Sequence, residues 1–92
     1  MKIYISGKIT GLANFKTKFK ETENKLIGFE IFNPAEIVID KPSPTWQDYM
    51  DICLEEIKTC QIIYVQKDWI DSKGAKEELG KAIELGLKII YE

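Results

Sequence analysis

The hydrophobic residues of this chain form short apolar runs that alternate with longer segments of mixed polarity. The apolar runs predict four strands, at Lys2–Ser6, Phe29–Phe32, Ile62–Val65 and Leu87–Tyr91. The longer segments repeat hydrophobic residues at helical spacing and predict three helices, at about residues 13–27, 45–59 and 73–85. This alternation is typical of α/β proteins, in which helices cover a largely parallel sheet.

The predicted fold is a small flavodoxin-like or Rossmann-like α/β three-layer sandwich, with a four-stranded parallel sheet in the order 2-1-3-4. Ligands of such sheets bind beyond the carboxyl ends of the strands, where the strand order reverses. Two polar segments with glycines follow strands at that edge, Gly7–Gly11 after the first strand and Asp68–Gly74 after the third. The strand order makes these segments neighbours, so the sequence predicts a binding site between them.

The third predicted helix carries two adjacent acids, and its phase separates them. Its apolar stripe is formed by Ala75, Leu79, Ala82 and Ile83. Glu78 falls on the flank of this stripe, whereas Glu77 falls nearly opposite it. We therefore expect Glu77 to be solvated and the Glu78 carboxyl group to project into a hollow shared by the two polar segments.

The polar segments have a structural and a functional interpretation. The first, Gly7-Lys8-Ile9-Thr10-Gly11, lacks the spacing of dinucleotide-binding and phosphate-binding loops. Its glycines would let the backbone approach a ligand closely, although a plain strand-to-helix turn explains them as well. Two roles fit Ser72: it caps the third helix, or it donates its hydroxyl to a phosphate at the same helix end.

Four aromatic residues lie near the predicted site, and each has two interpretations. Trp69 directly follows the third strand and either stacks on a planar ligand or covers one end of the core. Tyr4 either holds the Glu78 carboxylate in place or is a core tyrosine with a satisfied hydroxyl. Trp46 and Tyr49, on the second helix, fit core or subunit-contact positions better than ligand contacts.

The composition bounds the size and class of the protein. Ninety-two residues with 45% hydrophobic content predict one domain, residues 1–92. A chain of this length buries about 60–65% of its unfolded surface, which favours self-association. The net charge of -2 comes from 13 basic and 15 acidic residues spread along the chain. This pattern argues against nucleic-acid polymers and membrane surfaces as partners, and no apolar run is long enough to span a bilayer.

The absence of histidine narrows the chemistry further. It excludes Ser–His and Cys–His nucleophilic sites, histidine-ligated metals and histidine acid–base catalysis. Cys53 and Cys60 lie seven residues apart with no second pair, which fits neither a zinc site nor a disulfide framework. We expect a reduced, cytoplasmic protein that needs no metal or other cofactor.

Three stretches of the sequence match a known family. They are Lys2-Ile-Tyr-Ile-Ser-Gly-Lys-Ile-Thr-Gly11, then Asn33-Pro34, then Asp68-Trp-x-x-Ser-x-Gly-Ala-x-x-Glu78 followed by Leu-Gly-Lys-Ala82. Together they resemble the nucleoside 2-deoxyribosyltransferase-like superfamily, and most of all its small DUF4406 branch from bacteria and phages. The resemblance spans essentially the whole chain.

The resemblance implies roles for individual positions. Glu78 matches the family's nucleophile, and Tyr4 matches the tyrosine that orients it. Ser72 matches the serine that binds phosphate in members acting on nucleoside 5′-monophosphates, and Gly7–Gly11 matches the loop that cradles the sugar or phosphate. The resemblance also implies a homodimer or larger homo-oligomer, in which a neighbouring subunit often completes the pocket.

The chain departs from the family pattern at two positions. Superfamily members often have an aspartate where this chain has Gln61, and transferases tend to have one at the position of Ser72. No general acid for the departing base is therefore assigned. Asp68 and Asp71 are the nearby candidates.

The chain admits three functional hypotheses. The first is an enzyme that cleaves or transfers the N-glycosidic bond of a (deoxy)nucleoside or its 5′-monophosphate through Glu78. Its expected substrate contacts are Gly7, Lys8, Ile9, Thr10, Gly11, Asp68, Trp69, Asp71, Ser72 and Gly74. The second is a non-catalytic module that binds nucleotides or sugar phosphates. The third is a subunit-interaction or accessory protein with no small ligand, which a filled cleft would favour.

Overall fold

A parallel sheet of four strands forms the middle layer of the computed structural model, which describes residues 1–92. The strands are β1 (Lys2–Ser6), β2 (Glu30–Phe32), β3 (Ile62–Val65) and β4 (Lys88–Tyr91). They pair in the order β2-β1-β3-β4, and every neighbouring pair is parallel. The predicted fold class and strand order are therefore confirmed.

Three helices cover the two faces of the sheet: α1 (Phe15–Lys25), α2 (Trp46–Ile57) and α3 (Lys73–Leu85). Successive residues of a strand point to opposite faces, so β1 contributes to two separate cores. Tyr4 packs with residues of α2, α3 and β3, whereas Ile5 packs with Phe19 of α1. None of the helices combines the length and the apolar run that a membrane crossing needs.

The ends of α2 and α3 follow from local sequence signals. The Asp48 N–H donates to Thr45 Oγ1 (3.1 Å), and the Thr45 N–H donates to Asp48 Oδ2 (2.8 Å), which closes a capping box before α2. Gly86 ends α3 with a φ of 77°, a conformation that favours glycine. The predicted bounds of α3 agree with the structure.

Other predicted boundaries differ from the structure by one or two residues. The first two and last two residues of the predicted first helix lie outside α1, and Ile27 is exposed because the chain has already turned toward Gly28. The second helix ends at Ile57 rather than near residue 59, and β2 and β4 each begin one residue later than predicted. The segment after β3 contains a 3₁₀ helix, Lys67–Asp71, that the sequence pattern did not predict.

The predicted apolar stripe of α3 was wrong at Ile83, which is 59% exposed. Ala75, Leu79 and Ala82 are buried, and Glu78 is buried beside them. The buried arc is thus rotated toward Glu78, and at ~100° per residue Ile83 lies about 90° from its centre. Glu78, rather than Ile83, therefore completes the buried face of α3.

The carboxyl ends of β1 and β3 approach each other too closely for a side chain at Gly7. A Cβ atom built there would lie 2.0 Å from Gln66 Oε1 and 3.0 Å from Gln66 Cβ. Gln66 is buried, and its Nε2 donates to Thr22 Oγ1 at 2.9 Å. Because this hydrogen bond holds the amide, Gly7 is required by space rather than by its backbone angles.

We expect Gly7→Ala to lower the free energy of unfolding by about 1–3 kcal/mol, because the methyl group overpacks a buried contact. Gly80→Ala is the matched control, since no atom lies within 4 Å of a Cβ built there and alanine favours the helix interior by about 1 kcal/mol. Urea denaturation of both variants measures the difference. Equal stability of the Gly7→Ala and wild-type proteins would contradict the close approach.

Candidate functional site

An open cavity of about 470 Å³ lies beyond the carboxyl ends of β1 and β3. Its walls come from the segment after β1, the start of α1, the segment after β2, and the amino-terminal parts of α2 and α3. The lining residues are Gly7, Ile9, Thr10, Phe15, Lys16, Pro34, Ala35, Ile37, Trp46, Tyr49, Met50, Cys53, Ser72, Gly74, Ala75 and Glu78. The cavity is therefore apolar on most sides, and Glu78 is the one acid that lines it.

The Glu78 carboxyl group is held by two hydroxyl groups of β1. Tyr4 donates its hydroxyl to Glu78 Oε2 at 2.6 Å, and Ser6 donates its hydroxyl to Oε1 at 2.7 Å. Tyr4 and Ser6 are two residues apart in the strand, so both point to the face that α3 covers. Each carboxyl oxygen thus has one fixed donor, and the two hydroxyl groups of β1 determine the orientation of the carboxyl group.

Burial changes the protonation of this cluster. It raises the pKa of Glu78 from 4.5 to about 7, although the hydrogen bonds from Tyr4 and Ser6 act in the opposite direction. Burial and the nearby Glu78 charge also raise the pKa of Tyr4 well above 10. Tyr4 therefore keeps its proton across the physiological range and remains a donor to the carboxyl group.

Cys53 lines the cavity close to the same cluster. Burial, together with the charge of Glu78, raises the pKa of its thiol to about 12. The thiol therefore stays protonated and acts as a small apolar part of the wall. No three acidic or cysteine side chains converge closely enough to hold a metal ion.

The residues predicted in the segment after β1 separate into two groups. Gly7, Ile9 and Thr10 line the cavity. Lys8 borders a second, more open hollow that adjoins the first, and Thr10 borders both. Gly11, at a φ of 78°, lies at the outer end of the segment and lines neither hollow.

The residues predicted after β3 are distributed in a similar way. Ser72 and Gly74 line the cavity, and Asp71 borders only the adjoining hollow. Ser72 Oγ accepts the Ala75 N–H at 3.1 Å, so the serine caps α3 and lines the cavity at once. A Cβ at Gly74 would lie 3.3 Å from Met50 Sδ, so the glycine also allows α2 to approach the start of α3.

Asp68 and Trp69 lie outside the cavity. Asp68 accepts the Lys8 N–H at 3.0 Å and pairs with Lys18 at 2.6 Å. Trp69 packs against the core between the sheet, α2 and α3, with its ring centroid 6.3 Å from that of Tyr91. For Trp69 the structure favours the core interpretation. The roles of all these residues as substrate contacts stay predictions.

The sequence pattern missed several residues that form the site. Ser6 was not singled out, although its position two residues after Tyr4 places both side chains on one face of β1. Trp46 and Tyr49 were expected in the core or at a subunit contact, yet they line the cavity with 36% and 37% of their surface exposed. No local signal identifies them, because the packing of α2 against α3 decides which turn of α2 faces the cavity.

A comparison with solved structures bears on the fold. A solved 2-desoxiribosyltransferase from Leishmania mexicana superposes with a TM-score of 0.73 at 18% sequence identity. The match covers 98% of this chain and 62% of that structure, so this chain spans less than two thirds of its length. No curated protein matches the sequence.

The likeness to that enzyme, at 18% identity, establishes the architecture alone. This chain therefore shares the α/β fold of that 2-desoxiribosyltransferase. The family profile described as "Domain of unknown function (DUF4406)" matches residues 1–91, almost the full length of the sequence. This chain therefore belongs to the DUF4406 family.

Proposed function

We propose that the protein cleaves or transfers the N-glycosidic bond of a (deoxy)nucleoside or its 5′-monophosphate, with Glu78 as the nucleophile. One observation carries this proposal: a single carboxyl group, 5% exposed, is oriented by two hydroxyl donors at the side of an open cavity. A buried acid with a strongly shifted pKa in a cleft is typical of catalytic sites. The architecture shared with a deoxyribosyltransferase supports the substrate class.

In this mechanism the ionised Glu78 attacks the anomeric carbon of the sugar. The carbon–nitrogen bond breaks, its electron pair leaves with the base, and a glycosyl ester of Glu78 forms. Water then hydrolyses the ester, or a second base takes the sugar and regenerates the carboxylate. Tyr4 and Ser6 hold the attacking group in one orientation, which reduces the entropy lost on reaching the transition state.

A 5′-phosphate, where the substrate has one, would lie at the start of α3. Ser72 lines the cavity there, and the first N–H groups of the helix carry partial positive charge. Lys8 borders the adjoining hollow and Lys16 lines the cavity, and the ammonium group of neither residue forms an ion pair. The apolar wall from α2, including Trp46, would then cover the base.

The second candidate is a nucleotide-binding or sugar-phosphate-binding module without catalysis. It is favoured by the absence of any second acid among the cavity residues, since the departing base needs a proton. Gln61, one of the two positions that depart from the family pattern, accepts the Lys2 N–H at 2.8 Å at the opposite end of the sheet. We propose that the enzyme is a homodimer or larger, in which a second copy supplies the missing proton donor. The third hypothesis, an accessory protein without a small ligand, gains no support from the structure, because the cleft is an open cavity of about 470 Å³ rather than a filled one.

Replacing Glu78 tests the catalytic proposal directly. We expect the wild-type protein to release free base from deoxynucleosides or their 5′-monophosphates, measured by chromatography over the four common bases. Glu78→Gln should reduce the rate at least about 10³-fold, because it removes the nucleophile. Glu77→Gln is the matched control: the adjacent acid is exposed and lies outside the cavity, so its rate should equal that of the wild type. Tight nucleotide binding with no base released would favour the binding module.

The titration of Glu78 predicts how the rate depends on pH, and the Tyr4 hydroxyl on β1 should shift this dependence. The rate should rise with pH and reach half its maximum near pH 7, where Glu78 ionises. Tyr4→Phe removes a hydrogen bond that lowers the pKa of Glu78, so we expect the profile to move to higher pH. Tyr64→Phe, on the opposite face of β3, should leave the profile in place. An unmoved profile in the Tyr4→Phe protein would show that another group titrates.

The titration of Glu78 also predicts that the free energy of unfolding falls as the pH rises, whereas the rate increases. The native state binds the proton of Glu78 more tightly than the unfolded chain does. The contribution of this proton to the free energy of unfolding is therefore full below pH 4.5 and is lost as the pH rises through about 7. A pKa rise from 4.5 to about 7 corresponds to about 3 kcal/mol. Urea denaturation should show Glu78→Gln gaining on the wild type by about that amount between pH 4 and pH 8. A constant difference would contradict the raised pKa.

A further inference from the structure

The segment Gly7–Gly11 has one main-chain hydrogen bond, from the Leu12 N–H to the Ile9 carbonyl at 3.1 Å, and side chains hold the part before Ile9. Lys8 lies near its middle, and neither its N–H nor its carbonyl has a main-chain partner. Instead the Lys8 N–H donates to Asp68 Oδ1 at 3.0 Å, and the Lys8 carbonyl accepts from Lys18 Nζ at 2.9 Å. Both polar backbone groups of one loop residue are therefore satisfied by two charged side chains.

These two side chains also bind each other, at 2.6 Å between Lys18 Nζ and Asp68 Oδ2. The three contacts close a ring that joins the loop after β1, helix α1 and the 3₁₀ helix before α3. Lys18 and Asp68 are 24% and 29% exposed, so the pair is partly shielded from water. A charge-assisted bond in such surroundings is stronger and geometrically stricter than one at an open surface.

The contacts of Asp68 leave it no role as a proton donor. Burial alone would raise the pKa of Asp68, but the hydrogen bonds from the Lys18 ammonium and the Lys8 N–H hold it below its usual value. Both carboxyl oxygens already accept from the protein. The side chain faces the loop and α1 rather than the cavity.

We propose that Asp68 and Lys18 are positioning residues, whose ion pair fixes the conformation of the Gly7–Gly11 loop and with it the cavity wall formed by Gly7, Ile9 and Thr10. As a statement about substrate this inference rests on the proposed function, whereas its statement about the loop does not. A loop that begins and ends with glycine has a large conformational entropy, and fixing it before the ligand arrives lowers the cost of binding.

The effect on the loop is measured by amide hydrogen exchange and methyl NMR, without any ligand. In Asp68→Ala and Lys18→Met we expect the Lys8 amide to exchange at least about tenfold faster than in the wild type, since a charge-assisted bond is lost. The Ile9 methyl signals should shift in the same variants. Lys18→Arg keeps the charge and should restore most of the protection.

Lys20→Met is the matched control. Lys20 lies on the same helix, but it pairs with Glu23 and Glu36 and not with Asp68. The substitution should leave the Lys8 exchange rate and the Ile9 signals unchanged. Amide spectra of β1 and β3 establish that each variant is folded. Unchanged Lys8 exchange in both folded Asp68→Ala and Lys18→Met proteins would overturn the proposal.

Steady-state kinetics with the deoxynucleotide that the wild type cleaves best separate positioning from proton donation. We expect Asp68→Ala and Lys18→Met to raise KM at least about fivefold, with kcat within about threefold and an unmoved pH profile, because the loop contributes to binding. A fall in kcat of about 100-fold at constant KM would instead identify Asp68 as a general acid and overturn the inference. If the wild type cleaves no nucleotide, the proposed function fails by itself, and the exchange rates still decide the role of the ion pair.

Discussion

The burial of the Glu78 carboxyl group is the constraint on which this structure depends. Moving a carboxylate out of water is unfavourable, and the protein offsets this with hydroxyl donors from β1 and with partial protonation near neutral pH. The same position could hold an apolar residue that would extend the core of α3. A fold that keeps an acid there gives up stability at the wall of its cavity.

The arrangement of the sheet explains why the site forms where it does. β1 is flanked by β2 and β3, and its two faces belong to different cores. At its carboxyl end the chain leaves the sheet toward α1, while β3 leads toward α3 on the other face. The cavity lies between the two segments that leave the sheet, and α2 forms one of its sides. The position of the hollow is thus a property of topology, whereas its chemistry comes from a few side chains.

Much of the fold could be predicted from the sequence, because the spacing of hydrophobic residues and the residues that end helices are local signals. The strands, the bounds of α3 and the inward phase of Glu78 follow from hydrophobic spacing and from Gly86. What could not be predicted depends on contacts between distant segments. The Lys18–Asp68 pair joins residues 50 apart, and the approach of Trp46 to the cavity depends on how two helices pack. Ile83 shows the converse: the pattern assigned it to the core, but the buried face of α3 is centred about 90° away from it and leaves it 59% exposed.

The capping of α3 has a consequence for any anion that binds in the cavity. Ser72 uses its oxygen lone pair for the Ala75 N–H, while its own hydroxyl hydrogen has no acceptor in the protein. An anion that accepts this hydrogen would polarise the hydroxyl and strengthen the cap, so occupancy of the cavity and order in the first turn of α3 become thermodynamically coupled. Coupling of this kind is reciprocal. Any change that frays this turn weakens anion binding by the same free energy, and a bound anion in turn stabilises the helix that carries Glu78.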